Sequence, residues 1–522
     1  MKAEEKKGDE IVSEDPTTGK ENGRIAITST EDTVSAVERG REAAKIWREK
    51  TFDERRTVIR KAREIILGEM DAIAHLISSE TGKPPAEATV TEIAPVLDLM
   101  RFFADNAEKM LRPRKINIGL FGWMGRRSEI VYQPFGVVAI ISPWNYPLTI
   151  PLGETAMALM AGNSVVIKPS ELTPFVGMKI GEIFSRAASV ENLVQIIPGD
   201  GKTGAELVEA RPDKILFTGS VATGKKIAAA AARNLISVVL ELGGKDPMIV
   251  LEDADLETAS SAAVWSAFSN SGQTCASVER LYVHKNVASK LTELIVAKTK
   301  KIKQGGGDDP NISVGSMTSR RQFDTVVDHV ENFRASGAEI LTGGKQNSDL
   351  GKLFFEPTVV TNVSNDMRAM REETFGPTLP IAIFDTEDEA IILANDSEFG
   401  LTASVWTKDT SRGKRIARRI EAGTITINEV TYTHGIGQTP WGGFKNSGLG
   451  RTHGREGLME LVQAQHIHTN RFTILPDAWW LPYSPTASGT FRGFAKYFAT
   501  GSLLKTARLL PQLWKRIKEL KK

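Results

Sequence analysis

The sequence predicts an α/β protein with two parallel-sheet domains in series, a small arm and a basic amphipathic tail. At 522 residues the chain is too long for one ordinary hydrophobic core, so two or three domains are expected. Beyond residue 134, short apolar, mostly β-branched runs ending in Ser, Pro or Gly alternate with helix-length segments, the pattern of a parallel sheet buried on both faces. The alternation comes in two sets. GVVAIISP, SVVIKPS, LVQIIPG and KILFTGS form the first; PMIVLED, RLYVHK, FFEPTVVTNV, LPIAIFD, LTASVWTKD and GTITINE form the second.

Taken in order, Thr30 to about Leu111 reads as three or four helices. TEDTVSAVERGREAAKIWREK opens on a Thr/Asp/Ser cluster, and DERRTVIRKAREIILGEMDAIAHLISSETG runs to a stop at Gly82. RKINIGLFGWMGRRSEIVYQPFG reads as a pair of strands round a Gly turn. The expected boundaries are 1–242, interrupted by the strands at about 112–134; 243–446; a return segment and strand over 447–470; and a tail over 471–522. No tandem repeat is present.

Hydrophobic residues make up 41% and charged residues 25%, the balance of a soluble globular protein. A single cysteine forms no internal disulfide, and MKAEEKKGDEIVSEDP is charged where a signal peptide needs an apolar run, so a reducing, cytoplasmic location is expected. No apolar stretch reaches the roughly 18 residues of a membrane span. The net charge is +2, yet residues 491–522 carry +8, leaving −6 for the rest. Nothing points to nucleic acid. In the tail, Leu503, Ala507, Leu510, Trp514 and Ile517 make an apolar stripe flanked by Lys and Arg, with Pro511 calling for a kink or two shorter helices. Such a segment suits peripheral contact with the inner membrane face, packing on the body or a partner subunit, or another protein partner.

Metal and serine chemistry find no footing. The seven His include no H-E-x-x-H, no C-x-x-C or G-x-S-x-G occurs, and His466 and His468 lack an obvious third ligand. GLGRTHG has one residue too many for a dinucleotide fingerprint and follows no strand. Better phosphate candidates lie where strands of the first set run into helices: Gly219, Ser220 and Gly224 of FTGSVATGKK, and Lys168 and Glu171 of KPSE. Ordinary strand-to-helix turns are the alternative. Cys275 of NSGQTCASVER is either a small buried hydrophobe or a nucleophile in need of a base. In VVLELGGKDP, Gly243 and Gly244 let a chain segment or ligand approach the backbone just after Glu241. Glu241 alone reads equally well as a solvated strand-end charge.

Together and in this order, ISPWNYP, KPSE, FTGS, ELGGK, GQTC, EETFGP and PWGGFKNSG resemble the aldehyde dehydrogenase superfamily over roughly residues 10–470. The resemblance implies a Rossmann-like cofactor domain, a catalytic domain and an oligomerisation arm. It implies that Cys275 attacks an aldehyde to give a thiohemiacetal, with Asn145 and the Cys275 N–H as oxyanion donors. Hydride then passes to NAD(P)+, and Glu241 activates the water that hydrolyses the thioester. It places Lys168 and Glu171 at the adenosine ribose, Gly219, Ser220 and Gly224 by the pyrophosphate, and Glu373 with Phe375 at the nicotinamide ribose. Ser142 and Trp144 complete the cofactor set. Glu171 favours NAD, with NADP the alternative. Apolar aliphatic or aromatic aldehydes are the expected substrates; succinate semialdehyde, a CoA-acylating reaction and a non-catalytic structural or membrane-surface role are the rivals. A homodimer or homotetramer is expected. Thr452 departs from relatives that carry a second acid directly after SGxGR, leaving Glu241 the sole obvious base.

Overall fold

The computed structural model describes residues 10–472, 475–501 and 509–521. These pack as two compact units, one from Met1–Leu111 and Gln133–Gln463, the other from Arg112–Tyr132 and Ala464–Lys522.

The larger unit begins with long helices over Thr30–Trp47, Phe52–Gly68, Met70–Thr81 and Ala94–Leu111. Local chemistry sets their ends. Ser29 caps the first by accepting from the Asp32 N–H, and Thr51 and Glu54 form a capping box on the second. Gly82, at φ 83°, ends the third in a left-handed turn. Immediately before the fourth, Thr89–Ile93 winds as a π-helical turn carrying the fully buried Glu92; such single turns often occur at functional sites.

The first expected set of runs forms one sheet, ordered Gly448–Leu449, Ser237–Glu241, Lys214–Thr218, Val137–Ile141, Ser164–Lys168 and Val194–Ile196. The strand earliest in the chain, Val137–Ile141, lies in the middle. Later strands build outward on both sides, so the order reverses between Val137–Ile141 and Lys214–Thr218, where ligands collect in open α/β sheets. The edge strand is antiparallel, with Gly448 opposite Glu241. The glycine-rich GLGRTHG therefore begins as a sheet edge beside Glu241.

The second set forms a seven-stranded sheet, ordered Glu339–Thr342, Thr358–Thr361, Thr378–Phe384, Val278–His284, Asp246–Val250, Thr402–Trp406 and Thr424–Ile427. All pairs are parallel except the first. Met248, Val250, Leu281 and Val283 pack beneath Ala259, Ala263 and Ala267 of the helix Leu256–Phe268. Glu339–Thr342 carries no apolar run, because an exposed edge strand buries only part of itself.

Arg114–Ile116, Arg126–Pro134 and Val462–Asn470, most of whose residues belong to the smaller unit, form a three-stranded sheet. A helical turn, Leu120–Trp123, stands where a simple glycine turn was expected. The tail folds as two helices, Pro485–Thr500 and Leu510–Leu520. Pro511 sits in the first turn of the second, where its missing N–H costs nothing. Of the expected stripe, Leu503 and Ala507 lie outside the described residues. No helix among the described residues is long and apolar enough to cross a membrane.

Candidate active site

Cys275 follows a tight 3-10 turn, Ser269–Gly272, and precedes the strand Val278–His284. Asn270 and Ser271 hold left-handed backbone, at φ 51° and 54°, a strained arrangement that persists only where its surroundings enforce it. Here Asn270 Nδ2 donates to the backbone oxygens of Asn145 (3.0 Å) and Gln273 (3.1 Å), while Gln273 Oε1 accepts from the Thr318 N–H at 2.9 Å. Gly272 is obligatory, since a Cβ there would lie 2.1 Å from the Gly376 carbonyl oxygen. Among the described residues the Cys275 N–H donates to no backbone or side-chain oxygen. Burial, then the charges of Asp246, Glu373 and Glu241, push the half-buried thiol well above its ordinary value.

Asn145 reaches this turn from the end of Val137–Ile141. Its Nδ2 donates to Gln273 O at 3.1 Å, leaving one amide hydrogen for another acceptor. A fully buried ion pair fixes its backbone. Lys83 Nζ lies 2.7 Å from Glu92 Oε1 and donates to Asn145 O at 2.7 Å, and Glu92 Oε2 accepts from the Leu148 N–H at 2.8 Å. Neither Lys83 nor Glu92 stands in any motif that would single it out.

Beside the thiol lies a narrow cavity whose space for the centre of a water molecule is about 20 Å³, room for roughly one water. Glu241, Glu154, Thr452 and His453 line it. Both Glu241 carboxylate oxygens, Thr452 Oγ1 and His453 Nδ1 are buried without a hydrogen-bond partner. Buried polar groups are rarely orphaned, and four on one small cavity mark a place for a polar guest. Burial and the neighbouring Glu154 raise Glu241 well above the carboxylate range; Arg451 and the Trp441 indole offset this in part. Burial pushes Glu154 up to about 8. His434, stacked edge-on against His453 at 4.6 Å, is held down to about 4 by burial, so both rings are neutral near pH 7. Glu154 was missed in the sequence, although it is the one charge in Thr149–Ala161, a helix buried all round.

The remaining expected residues gather at the switch-point crevice and along the Gly243–Gly244 turn. Glu373 Oε1 accepts from the Gly244 N–H at 2.8 Å, and a Cβ on Gly243 would lie 2.5 Å from Glu373 Oε2. On Gly244 it would lie 2.5 Å from the Cys275 carbonyl oxygen. The paired glycines thus admit both the carboxylate and the cysteine turn. Buried Glu279 fixes the Glu373 loop by accepting from the Thr374 and Phe375 N–H groups, both at 2.8 Å, while pairing with Lys245 at 2.7 Å. Phe375, at φ 50°, stands edge-on to Trp144 with centroids 5.5 Å apart.

Ser142 is buried, its N–H on Lys168 O at 3.1 Å. Lys168 Nζ donates to Gly199 O at 3.0 Å and sits 3.5 Å from the more exposed Glu171. Ser220 caps the helix Val221–Ala232, and the Gly219 N–H donates to Glu241 O at 3.0 Å. A Cβ on Gly224 would meet Leu242 at 2.6 Å, so this glycine brings helix and strand together. These groups fit a dinucleotide: a helix N-terminus at the switch point, the buried unpartnered Thr218 Oγ1 close by, and carboxylates at both ends for ribose hydroxyls. No cluster able to hold a metal occurs among the described residues.

Residues 3–467 match the profile of the aldehyde dehydrogenase family. The chain is 40% identical over 499 residues, 95% of its length and 93% of the relative's, to a 4,4'-diapolycopene aldehyde oxidase from a Methylomonas species. It is 38% identical over 466 residues, 89% of each chain, to a putative NADP+ succinate-semialdehyde dehydrogenase from Mycobacterium tuberculosis. Among solved structures, the NAD+ complex of Staphylococcus aureus betaine aldehyde dehydrogenase superposes with a TM-score of 0.85 at 34% identity, covering 90% of this chain and 93% of that one. The chain therefore belongs to the aldehyde dehydrogenase family, whose members oxidise aldehydes to acids with NAD or NADP.

Proposed function

We propose that this enzyme oxidises apolar aliphatic or aromatic aldehydes, with Cys275 as nucleophile, Asn145 and the Cys275 N–H as oxyanion donors, and Glu241 as base. The observation that carries this reading is the cavity itself: thiol and unpartnered carboxylate share it, and none of its eleven lining residues is Lys or Arg.

Cys275 gives its thiol proton to water and its Sγ, as thiolate, attacks the carbonyl carbon. The oxygen, now negative, receives the spare Nδ2 hydrogen of Asn145 and the unused Cys275 N–H, each such donor being worth about 3 kcal/mol. When bound, NAD(P)+ supplies the two-electron oxidant and a positive charge. Glu241 then takes a proton from a water, whose oxygen attacks the thioester carbon; the C–S bond breaks, the carboxylate leaves and the thiol is restored. Glu373 and Phe375 hold the nicotinamide ribose, Lys168 and Glu171 the adenosine ribose, and Gly219, Ser220, Ser142 and Trp144 line the path between. Gly224 serves that path by packing. Residues 1–242 in this reading bind the cofactor and 243–446 carry the thiol.

The carboxylate of succinate semialdehyde calls for a cation on the way to Cys275, and no Lys or Arg stands round the thiol; a CoA acceptor would leave Glu241 without a task. Glu171 favours the free 2′-hydroxyl of NAD over the phosphate of NADP. The arms at 112–134 and 460–471 join subunits as a homodimer or homotetramer, and segment 491–522 brings the enzyme to a membrane surface, where apolar aldehydes partition. The test is a steady-state screen of aldehydes graded in length and charge with both cofactors. Long apolar aldehydes should exceed succinate semialdehyde in kcat/KM by about 100-fold or more, the scale of leaving a charge unpaired; the reverse order overturns the substrate assignment.

A further inference from the structure

We propose that the tail docks on an anionic membrane surface through a preformed platform made by the loop 479–483 and the outer face of the helix Leu510–Leu520. This deepens the membrane contact in the proposed function and rests on it.

The helix has two faces. Leu509, Leu513 and Arg516 turn inward, Leu509 packing with Ala478 and Phe494. Leu510, Trp514, Lys518 and Lys521, spaced by 4, 4 and 3 residues, share the other face; Leu510 is 61% exposed and Trp514 56%. The expected stripe is thus not the packing face: of its described residues Leu510 and Trp514 are left in water, and Leu509 and Leu513, one position before each, do the packing.

Arg516 joins loop to helix. It is fully buried, donates through Nε to Ala478 O at 3.1 Å and through Nη2 to Trp480 O and Pro482 O, and pairs with Glu519 at 3.0 Å. Ser484 Oγ donates to the same Glu519 carboxylate at 2.9 Å. With the loop carbonyls turned inward, Trp480, Leu481 and Tyr483 stand 54%, 71% and 68% exposed. A loop that fixes its backbone while presenting a Trp, a Leu and a Tyr has little ordering entropy left to lose on docking.

Charge selects the occupant. The carboxylates here are tied up, Glu519 by Arg516 and Asp477 by Arg126. Arg492, Lys496, Lys515, Lys518 and Lys521 are exposed, and no carboxylate pairs with them among the described residues. Lys is depleted at the centre of protein interfaces, whereas Trp and Tyr beside Lys are the composition of a lipid–water interface. Lys518 holds its ammonium over the Trp514 ring, 5.6 Å from the centroid; at a lipid surface the aliphatic stems of such Lys follow the apolar boundary while their ammonium groups turn to headgroup phosphates.

The experiment is co-sedimentation of the full chain with phosphatidylcholine vesicles, with and without phosphatidylserine, beside W480A/L481A/W514A and K515A/K518A/K521A variants. Wild type should bind the phosphatidylserine vesicles and release with salt. The aromatic variant should lose about tenfold or more in partitioning, and the lysine variant about fivefold per residue that reaches the surface. Turnover of a short soluble aldehyde and subunit number by light scattering should stay at wild-type values in both. No binding, or equal binding to both vesicles, overturns the proposal; so does loss of subunit association with vesicle binding intact, which makes the patch an interface between copies. Binding without aldehyde turnover would instead overturn the catalytic reading and leave the platform standing.

Discussion

The active-site wall and the scaffold behind it treat buried charge in opposite ways. In the scaffold, Lys83 with Glu92 and Lys245 with Glu279 are buried pairs with backbone contacts at 2.7–2.8 Å, and their partners are the backbones of Asn145, Thr374 and Phe375. On the wall, Glu241 is buried with neither oxygen bonded, next to a second carboxyl on Glu154 and the neutral His453. Saturated charges have one geometry and hold other groups in theirs. An unsaturated carboxylate keeps its lone pairs and an elevated proton affinity, as a base for water requires. The difference separates residues that position from residues that react, and it can be tested residue by residue.

The largest effect is expected where the wall carries the bond-forming atom. Cys275→Ala should lower aldehyde-dependent NADH formation by roughly 10⁴-fold or more, the scale of removing a nucleophile; appreciable surviving turnover would remove the thiol from the mechanism. Next comes the scaffold. Lys83→Met strands the Glu92 carboxylate in a dry interior and should cost about 3–5 kcal/mol of stability, read as a fall in melting temperature. A Lys83→Met/Glu92→Leu double variant should recover most of that stability yet keep a reduced kcat, because Asn145 has lost its anchor. Recovery of both would mean that the pair serves stability alone. Glu241→Gln should slow steady-state turnover by about 10²–10³-fold while preserving a first burst of NADH, and loss of the burst would place Glu241 in an earlier step.

How far the sequence reached follows the same division. Strands buried on both faces announce themselves as β-branched runs, and GVVAIISP, SVVIKPS and KILFTGS became Val137–Ile141, Ser164–Lys168 and Lys214–Thr218. Glu10–Glu14, Glu21–Ala26 and Glu339–Thr342 stayed hidden, because half-exposed strands carry charges that read as loop. On the wall, Cys275, Asn145 and Glu241 stood in recognisable motifs. The scaffold did not, since Lys83 gains meaning only from Glu92 and from Asn145, 62 positions away. Spacing along the chain contains no such information. Glu154 was missed too, although a single carboxyl in a helix with every residue buried was a signal that could have found it.

Glu154 also gives the finest test of the comparison, since it belongs to the wall without standing in any motif. Glu154 and Glu241 face one small cavity, and ionising either opposes ionising the other. Glu241 acts as a base only when ionised, so thioester hydrolysis should fall as pH drops through its raised value. Glu154→Gln removes the competing charge and should move that acid limb to lower pH, with kcat at the plateau little changed. Stability supplies an independent reading. A carboxyl that titrates near 4.5 when unfolded and at about 8 in the fold favours the folded state while it keeps its proton. That contribution is complete below the unfolded value and is lost as pH rises through the folded one. Wild type should therefore lose melting temperature between about pH 5 and 8, and Glu154→Gln should flatten that slope and become the more stable form at the alkaline end. Parallel pH profiles for the two proteins, in rate and in melting, would show that Glu154 remains a neutral packing group and that Glu241 works alone.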